Sequence, residues 1–251
     1  MPCNGLRDTD LVREIETTAD LIRASGDDPL IVWAAQGFGS GIRTWYDGDA
    51  VAVASPDLSK RDRLSVAGPA VDAARLVTSV LVEVGPAFRP FGDEELVREL
   101  ARRVPGMEFS AAFGWMETGE IPDVLTTAAW LDGDTGVEAL LTEASPSSYA
   151  WPGSPGVRRW AAVTEDGDSN ALLSIAADAW SAPEVGFLAG VATRPDARGR
   201  GLSRQVCGFV TAELIKQHGR AALMVDGDNA AAIAVYRTLG YAYRRVAAAR
   251  L

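Results

Sequence analysis

The chain has 251 residues, of which 47% are hydrophobic and 23% charged; this is enough to bury one large core or two modest ones and excludes a disordered or fibrous protein. No apolar run approaches the roughly 20 residues of a membrane span, and the N-terminus lacks a basic segment followed by an apolar stretch, so a soluble cytoplasmic protein is expected. A net charge of -10 makes nucleic acid and anionic membranes poor partners. That charge is uneven: residues 1 to 125 carry 12 basic and 21 acidic side chains, residues 126 to 251 carry 12 and 13. Two cysteines, Cys3 and Cys207, and one histidine, His218, provide neither a disulfide framework nor a metal site, and a Ser-His-Asp arrangement is not expected.

In chain order, Leu11, Ile15, Ala19 and Ile22 predict a helix over Leu6 to Ala24, stopped by Ser25-Gly26-Asp27-Asp28-Pro29. A buried strand follows at Ile31 to Ala35. Next comes a hairpin of Ile42 to Tyr46 and Ala50 to Ala54 about Asp47-Gly48-Asp49, then a strand at Leu64 to Ala67. Gly68-Pro69 opens a helix over Val71 to Val84, with Pro in the first turn where its missing N-H does no harm, and Gly85-Pro86 closes it. Glu94 to Val104 reads as a helix and Met107 to Trp115 as a strand, so the first half is α/β in pattern. Polar Glu117 to Asp123, interrupted by Gly and Pro, is the predicted junction between units spanning 1-120 and 121-251.

In the second unit Val124 to Thr142 is weakly helical around Asp132-Gly133-Asp134. Ser145 to Pro155 is a loop carrying Tyr149 and Trp151, suited to covering a site. Arg159 to Thr164, Ala171 to Ala177 and Val185 to Thr193 form a predicted antiparallel meander. A break at Arg194 to Gly201 leads into a helix over Leu202 to Gln217. A strand at Ala221 to Val225, a helix at Ala230 to Leu239 ended by Gly240, and a strand at Tyr241 to Val246 complete the chain.

The informative segment is the strand-to-helix turn, where a glycine-containing loop aims unpaired backbone N-H groups and the positive helix end at one point, a geometry suited to phosphate. Gly199 and Gly201 admit close backbone approach. Arg194, Arg198, Arg200 and Arg204 against Asp196 give a net +3 within an acidic chain. The turn lacks the Gly-x-x-x-x-Gly-Lys-Ser/Thr of a nucleotide-hydrolysing P-loop, and its meander context disfavours a dinucleotide-binding unit.

Arg198-x-x-Gly201-x-Ser203, behind Val191-x-Thr193-x-Pro195-x-x-Arg198, resembles the pyrophosphate signature of the GCN5-related N-acetyltransferase (GNAT) superfamily, with Ser203 where Gly or Ala is usual. Asn229-x-x-Ala232-x-x-x-Tyr236-x-x-x-Gly240-Tyr241 resembles that superfamily's second signature. Seven residues, about two helical turns, keep Asn229 and Tyr236 on one face. The resemblance covers about Val124 to Leu251 and implies an α/β mixed-sheet GNAT fold there.

It implies acetyl-CoA as co-substrate, without a metal, held by main-chain groups of Val191, Ala192 and Thr193 and by the turn of Arg198, Gly199, Arg200 and Gly201. Leu202, Ser203 and Arg204 begin the helix behind that turn, and Asn229 reaches the pantetheine. It further implies transfer to a small-molecule or peptide amine, with Tyr236 donating a proton to the departing thiolate. Glu184 lies near the position of a catalytic base in relatives that acetylate histones, offset by one residue; a bulge near Gly190 would restore its face. Asp178, Asp226 or a water chain are the rivals. The first half resembles the same superfamily with its phosphate signature worn away, as in tandem members. Its acidic balance predicts a cationic acceptor. A noncatalytic acyl-CoA sensor or interaction protein is the alternative function.

Overall fold

The computed structural model describes residues 12-165 and 168-251. Cys3 and the start of the expected Leu6 to Ala24 helix fall outside them. Within them, a two-residue strand β1 (Arg13–Glu14) precedes helix α1 (Thr18–Ser25), which starts at the Thr17 cap and ends at Gly26. Ile31 to Ala35 is not a strand but part of helix α2 (Pro29–Ala34). Asp28 Oδ1 accepts a hydrogen bond from the Leu30 amide, and Pro29 occupies the first turn, so the cap decides what an apolar run leaves open.

The hairpin is present as β2 (Arg43–Asp47) and β3 (Ala50–Ser55), followed by β4 (Arg63–Ala67), α3 (Ala70–Val84), β5 (Arg89–Asp93), α4 (Glu94–Arg103) and β6 (Glu108–Thr118). Strand β5 has the composition Arg-Pro-Phe-Gly-Asp, which no strand signal marks. The second half runs β7 (Ala129–Trp130), α5 (Val137–Ala144), β8 (Val157–Glu165), β9 (Asp168–Ala179), β10 (Gly186–Thr193), α6 (Leu202–His218), β11 (Ala221–Val225), α7 (Ala230–Thr238) and β12 (Ala242–Arg250). Thus the weak helix expected over Val124 to Thr142 resolves into a short strand and a helix.

The twelve strands of the described residues form one sheet, in the order β1-β2-β3-β4-β5-β12-β6-β11-β10-β9-β8-β7. The succession of three antiparallel strands, helix, parallel strand, helix and final strand occurs twice, as β2 to β6 and as β8 to β12. The last strand of each half leaves its own half. Strand β6 pairs with β11 and β12 pairs with β5, while β6 and β12 pair with each other from Glu108–Arg250 to Glu117–Ala242. Sheet order therefore binds the halves together by backbone hydrogen bonds as well as by side chains.

Alternation along the strands sends side chains to two faces. Helices α3 and α4 cover one face of the first half and α6 and α7 that face of the second, in two separate cores. The opposite face carries one core that runs across both halves, under α1, α2 and α5. At its centre Trp33 stacks on Phe187 at 4.7 Å and lies 5.4 Å from Trp115. Trp33 Nε1 donates to the Trp180 carbonyl at 2.8 Å. No helix among the described residues is long and apolar enough to cross a membrane.

Candidate functional site

The site begins where the sheet opens. Strands β10 and β11 pair only at Gly186–Ala221 and Phe187–Ala222, and β10 then bulges between Ala189 and Ala192. Gly190 carries the bulge at φ +63°, and a Cβ there would lie 2.6 Å from the Trp160 ring, so both conformation and space call for glycine. From Leu188 onward the side of β10 that would face β11 has no strand partner, leaving backbone donors and acceptors open to an extended ligand. A cavity of about 580 Å³ fills this gap. Its wall takes Phe91, Phe113 and Trp180 from one face of the sheet and Leu188, Ala232 and Tyr236 from the other, so it passes through the sheet plane.

Past the gap, β10 ends at Thr193, a single 3-10 turn spans Pro195–Ala197, and Gly199 and Gly201 take φ +76° and +74° before α6 begins. Gly201 caps α6 with no side-chain hydrogen bond, so the first amides of the helix have no partner from that residue. Arg198, Gly199, Arg200, Gly201 and Arg204 are exposed around this point, Leu202 is buried and Ser203 half-buried. Arg194 differs: it is held by Asp196 at 2.6 Å and Glu165 at 3.5 Å, which removes it from the set of free cations. Arg198 bonds the Thr193 and Ala144 carbonyls, tying the turn to the end of α5. The residues of the turn from Ala192 onward lie beyond the cavity wall, while Val191 belongs to it.

Asn229 and Tyr236, at the start and within the last turns of α7, both line the cavity, as their spacing predicts. Asn229 Oδ1 caps the helix by accepting from the Ala232 amide at 3.0 Å, leaving its NH₂ for other partners. Tyr236 is 6% exposed, and burial, then Cys207 and Tyr241, push its phenol well above the usual value, so it remains protonated at neutral pH. Cys207 is fully buried, and burial raises its thiol to about 12, which suits a packing role and not a nucleophile. His218 ends α6, its Nδ1 3.1 Å from the Pro183 carbonyl.

The base candidates separate. Glu184 stands in the Ala182–Val185 turn before β10, outside the cavity wall, with Oε2 buried and unpaired among the described residues. Asp178 is 1% exposed; it accepts from Ser181 Oγ at 2.6 Å and Arg159 Nε at 3.3 Å, and Ser181 Oγ in turn accepts from the Phe187 amide. That chain spends its carboxylate on holding β10. Asp226 does line the cavity, between β11 and Asn229. Of the loop aromatics, Tyr149 lines it, as does Trp180 just after β9, whereas Trp151 packs with its Nε1 donating to the Ser148 carbonyl at 2.6 Å.

The first half supplies a part of this wall that sequence patterns do not reveal. Arg61, Arg63 and Arg89 all face the cavity. Their only sequence signal is a pair of arginines around the start of β4 and another at the start of β5, unremarkable until parallel register sets Arg63 beside Arg89.

A family model described as FR47-like protein matches residues 169–249. No curated protein matches the sequence. Among solved structures, a GCN5-related N-acetyltransferase from Kribbella flavida is 20% identical over 85% of this chain and 90% of its own, with a TM-score of 0.56. Another from Sphaerobacter thermophilus is 18% identical over 98% and 96%, with a TM-score of 0.50. A Drosophila protein is 14% identical over 96% and 98%, with a TM-score of 0.58. The chain has the GNAT fold across both halves of its sheet, with similarity to the FR47-like family at residues 169–249.

Proposed function

We propose that the chain is an acyl-CoA-dependent N-acyltransferase, using acetyl-CoA as its donor and a primary amine as its acceptor, without a metal and in the cytoplasm. In this reading residues 121-251 form the catalytic unit and residues 1-120 an accessory unit, a worn relative of the same fold. The observation that carries it is the gap between β10 and β11: its bulge leaves backbone groups unpaired on one wall, and α7 presents Asn229 and Tyr236 on another. The residues fit the donor. Amides at the start of α6, with Arg198, Arg200 and Arg204, would hold its phosphates, open space surrounds Gly199 and Gly201, and Val191 to Thr193 and Asn229 would hold the pantetheine.

The donor supplies a thioester carbonyl, an electrophile that needs a neutral amine. An amine of pKa about 10.4 is neutral in only about one part in a few thousand at pH 7, whereas an α-amino group near 7.8 is roughly a tenth neutral, so a base matters most for the former. The new C-N bond forms as the C-S bond breaks. The amine loses one proton toward Asp226 or water, and Tyr236 gives its phenolic proton to the departing sulfur. Asp226 supports the base role by its place on the wall; Glu184 would need to move to reach it.

Calorimetry with acetyl-CoA, followed by thiol release over a panel of amines, tests this. Micromolar binding with turnover of at least one amine is expected. Absence of binding at submillimolar acetyl-CoA overturns the reading, and tight binding without turnover on any amine would favour a sensor.

A further inference from the structure

The cavity wall contributed by the first half is cationic, although that half is the acidic one. Arg61, Arg63 and Arg89 line it together with Ser59, and Asp226 at the α7 end is the one acid on the wall among the described residues. Arg63 is 6% exposed. Its one side-chain hydrogen bond among the described residues runs from Nε to the Leu58 carbonyl at 2.9 Å, and no carboxylate pairs with it. Neither Arg63 nor Arg89 joins an ion pair among those residues, and Arg61 reaches only the Tyr149 hydroxyl, at 3.3 Å, on the loop from the second half.

Parallel register puts Arg63 directly beside Arg89, a like-charge pairing that costs stability when nothing lies between the two. The Phe91 ring below Arg63, 5.0 Å from its guanidinium, offsets part of that cost and leaves both Nη groups for the cavity. Burial, with Arg61 and Arg89 adding to it against Tyr149, lowers the Arg63 pKa to about 10, the mark of a cation without a counter-ion. The turn that presents Arg61 holds Asp57, Ser59 and Lys60 at φ between +50° and +59°, so its backbone is locally strained in order to adopt this course.

We infer that Arg61, Arg63 and Arg89 form a subsite for an oxyanion, and that the acceptor amine carries a carboxylate or phosphate group which this subsite holds while the amine faces Tyr236. The inference rests on the transfer reading for its acceptor and on the arginine cluster for its charge. It reverses the cationic acceptor expected from composition. Among the described residues, no acid of the first half is on the cavity wall. Asp28, Asp93, Glu95 and Glu99 line a separate cleft, Asp20 and Glu14 sit in surface ion pairs, and Asp62, next to Arg61 in the turn, turns its carboxylate to accept from the Asp57 amide at 2.9 Å.

The test is calorimetry on the full chain, with and without coenzyme A, using product-like probes that differ only in charge. N-acetylalanine and N-acetylphenylalanine are compared with their carboxamides, and the corresponding aminophosphonates distinguish a phosphate from a carboxylate preference. The anion is expected to bind about tenfold or more tightly than the amide, and Arg61→Gln or Arg63→Gln to erase the difference. Arg61 is exposed, so its variant keeps the test decisive if Arg63→Gln fails to fold. Equal or tighter binding of the amides, or no binding of any anion up to about 10 mM, overturns the inference. Titration with acetyl-CoA in the same experiment keeps the two ideas apart: donor binding without an anion preference sinks the subsite alone, and an anion preference without donor binding sinks the transfer reading alone.

Discussion

The two halves of the sheet use the same run of elements to make two different clefts. In the second half β10 bulges at Gly190 and parts from β11 after two pairs, and an eight-residue turn with exposed arginines leads to α6. In the first half β4 and β5 pair at three positions, and the link to α3 is only Gly68-Pro69. A Cβ at Gly92 would lie 2.4 Å from the Val66 carbonyl, so the strands there remain in close contact. The cleft at that place, about 450 Å³, is lined by Asp28, Asp93, Glu95 and Glu99 with Arg244 as its one base among the described residues. A polyanion would meet carboxylates there instead of arginines. The lesson is that helix and strand succession sets where a cleft forms, while bulge, turn length and lining charge set what it can hold.

The largest effect is expected from separating the halves. Residues 121-251 alone lack β6, the neighbour of both β11 and β12, and lose Trp115 and Trp33 from the shared core. We expect this fragment not to fold, and the full chain to unfold in a single transition; a fragment with native-like near-ultraviolet dichroism would refute the account of strand exchange. Next in size, Tyr236→Phe should lower turnover by roughly 10²- to 10⁴-fold while acetyl-CoA affinity stays within about twofold. Steady-state rates with parallel calorimetry check the split.

A smaller loss should follow Arg198→Ala with Arg200→Ala. These should weaken acetyl-CoA binding about 10- to 100-fold with one site per chain, whereas Arg75→Ala in the first half should leave it unchanged. Arg75 is spent on Asp47 and Asp72. Two sites per chain would contradict the contrast between the clefts.

The smallest effect concerns pH. Burial holds the Cys207 thiol at about 12, against about 8.5 for an exposed thiol. Between these values the unfolded chain binds fewer protons than the folded one. Stability should therefore fall as pH rises, by about 1.4 kcal/mol per unit from this group. The buried phenols of Tyr236 and Tyr241, both raised by desolvation, add to the decline above about pH 10. Urea melts of Cys207→Ala, compared with the unmodified chain at pH 8 to 10, should show a shallower slope for the variant.

Much of the second half is legible because its signals are local. The turn from Arg194 to Ser203 and the seven-residue spacing of Asn229 and Tyr236 depend on a few consecutive dihedral angles, and glycine and helical repeat declare these in sequence. The hairpin at Asp47-Gly48-Asp49 is legible for the same reason. The apolar run at Ile31 was not, because an unbroken run suits either element and only its Asp28-Pro29 cap distinguishes them. Nor was β5, whose five residues carry Pro and Gly and are a strand only because β4 and β12 flank them.

By itself, then, the sequence determined the succession of elements around the site, the glycine turn before α6 and the face shared by Asn229 and Tyr236. Tertiary structure alone decided the exchange of β6 and β12, the pairing of Asp178 with Arg159, and the gathering of Arg61, Arg63 and Arg89 on the same cavity wall as Tyr236. The residues brought together lie up to more than 170 positions apart along the chain. Local propensity and periodicity reach over a turn or two of helix, and only closure of the sheet brings such distant side chains to one wall.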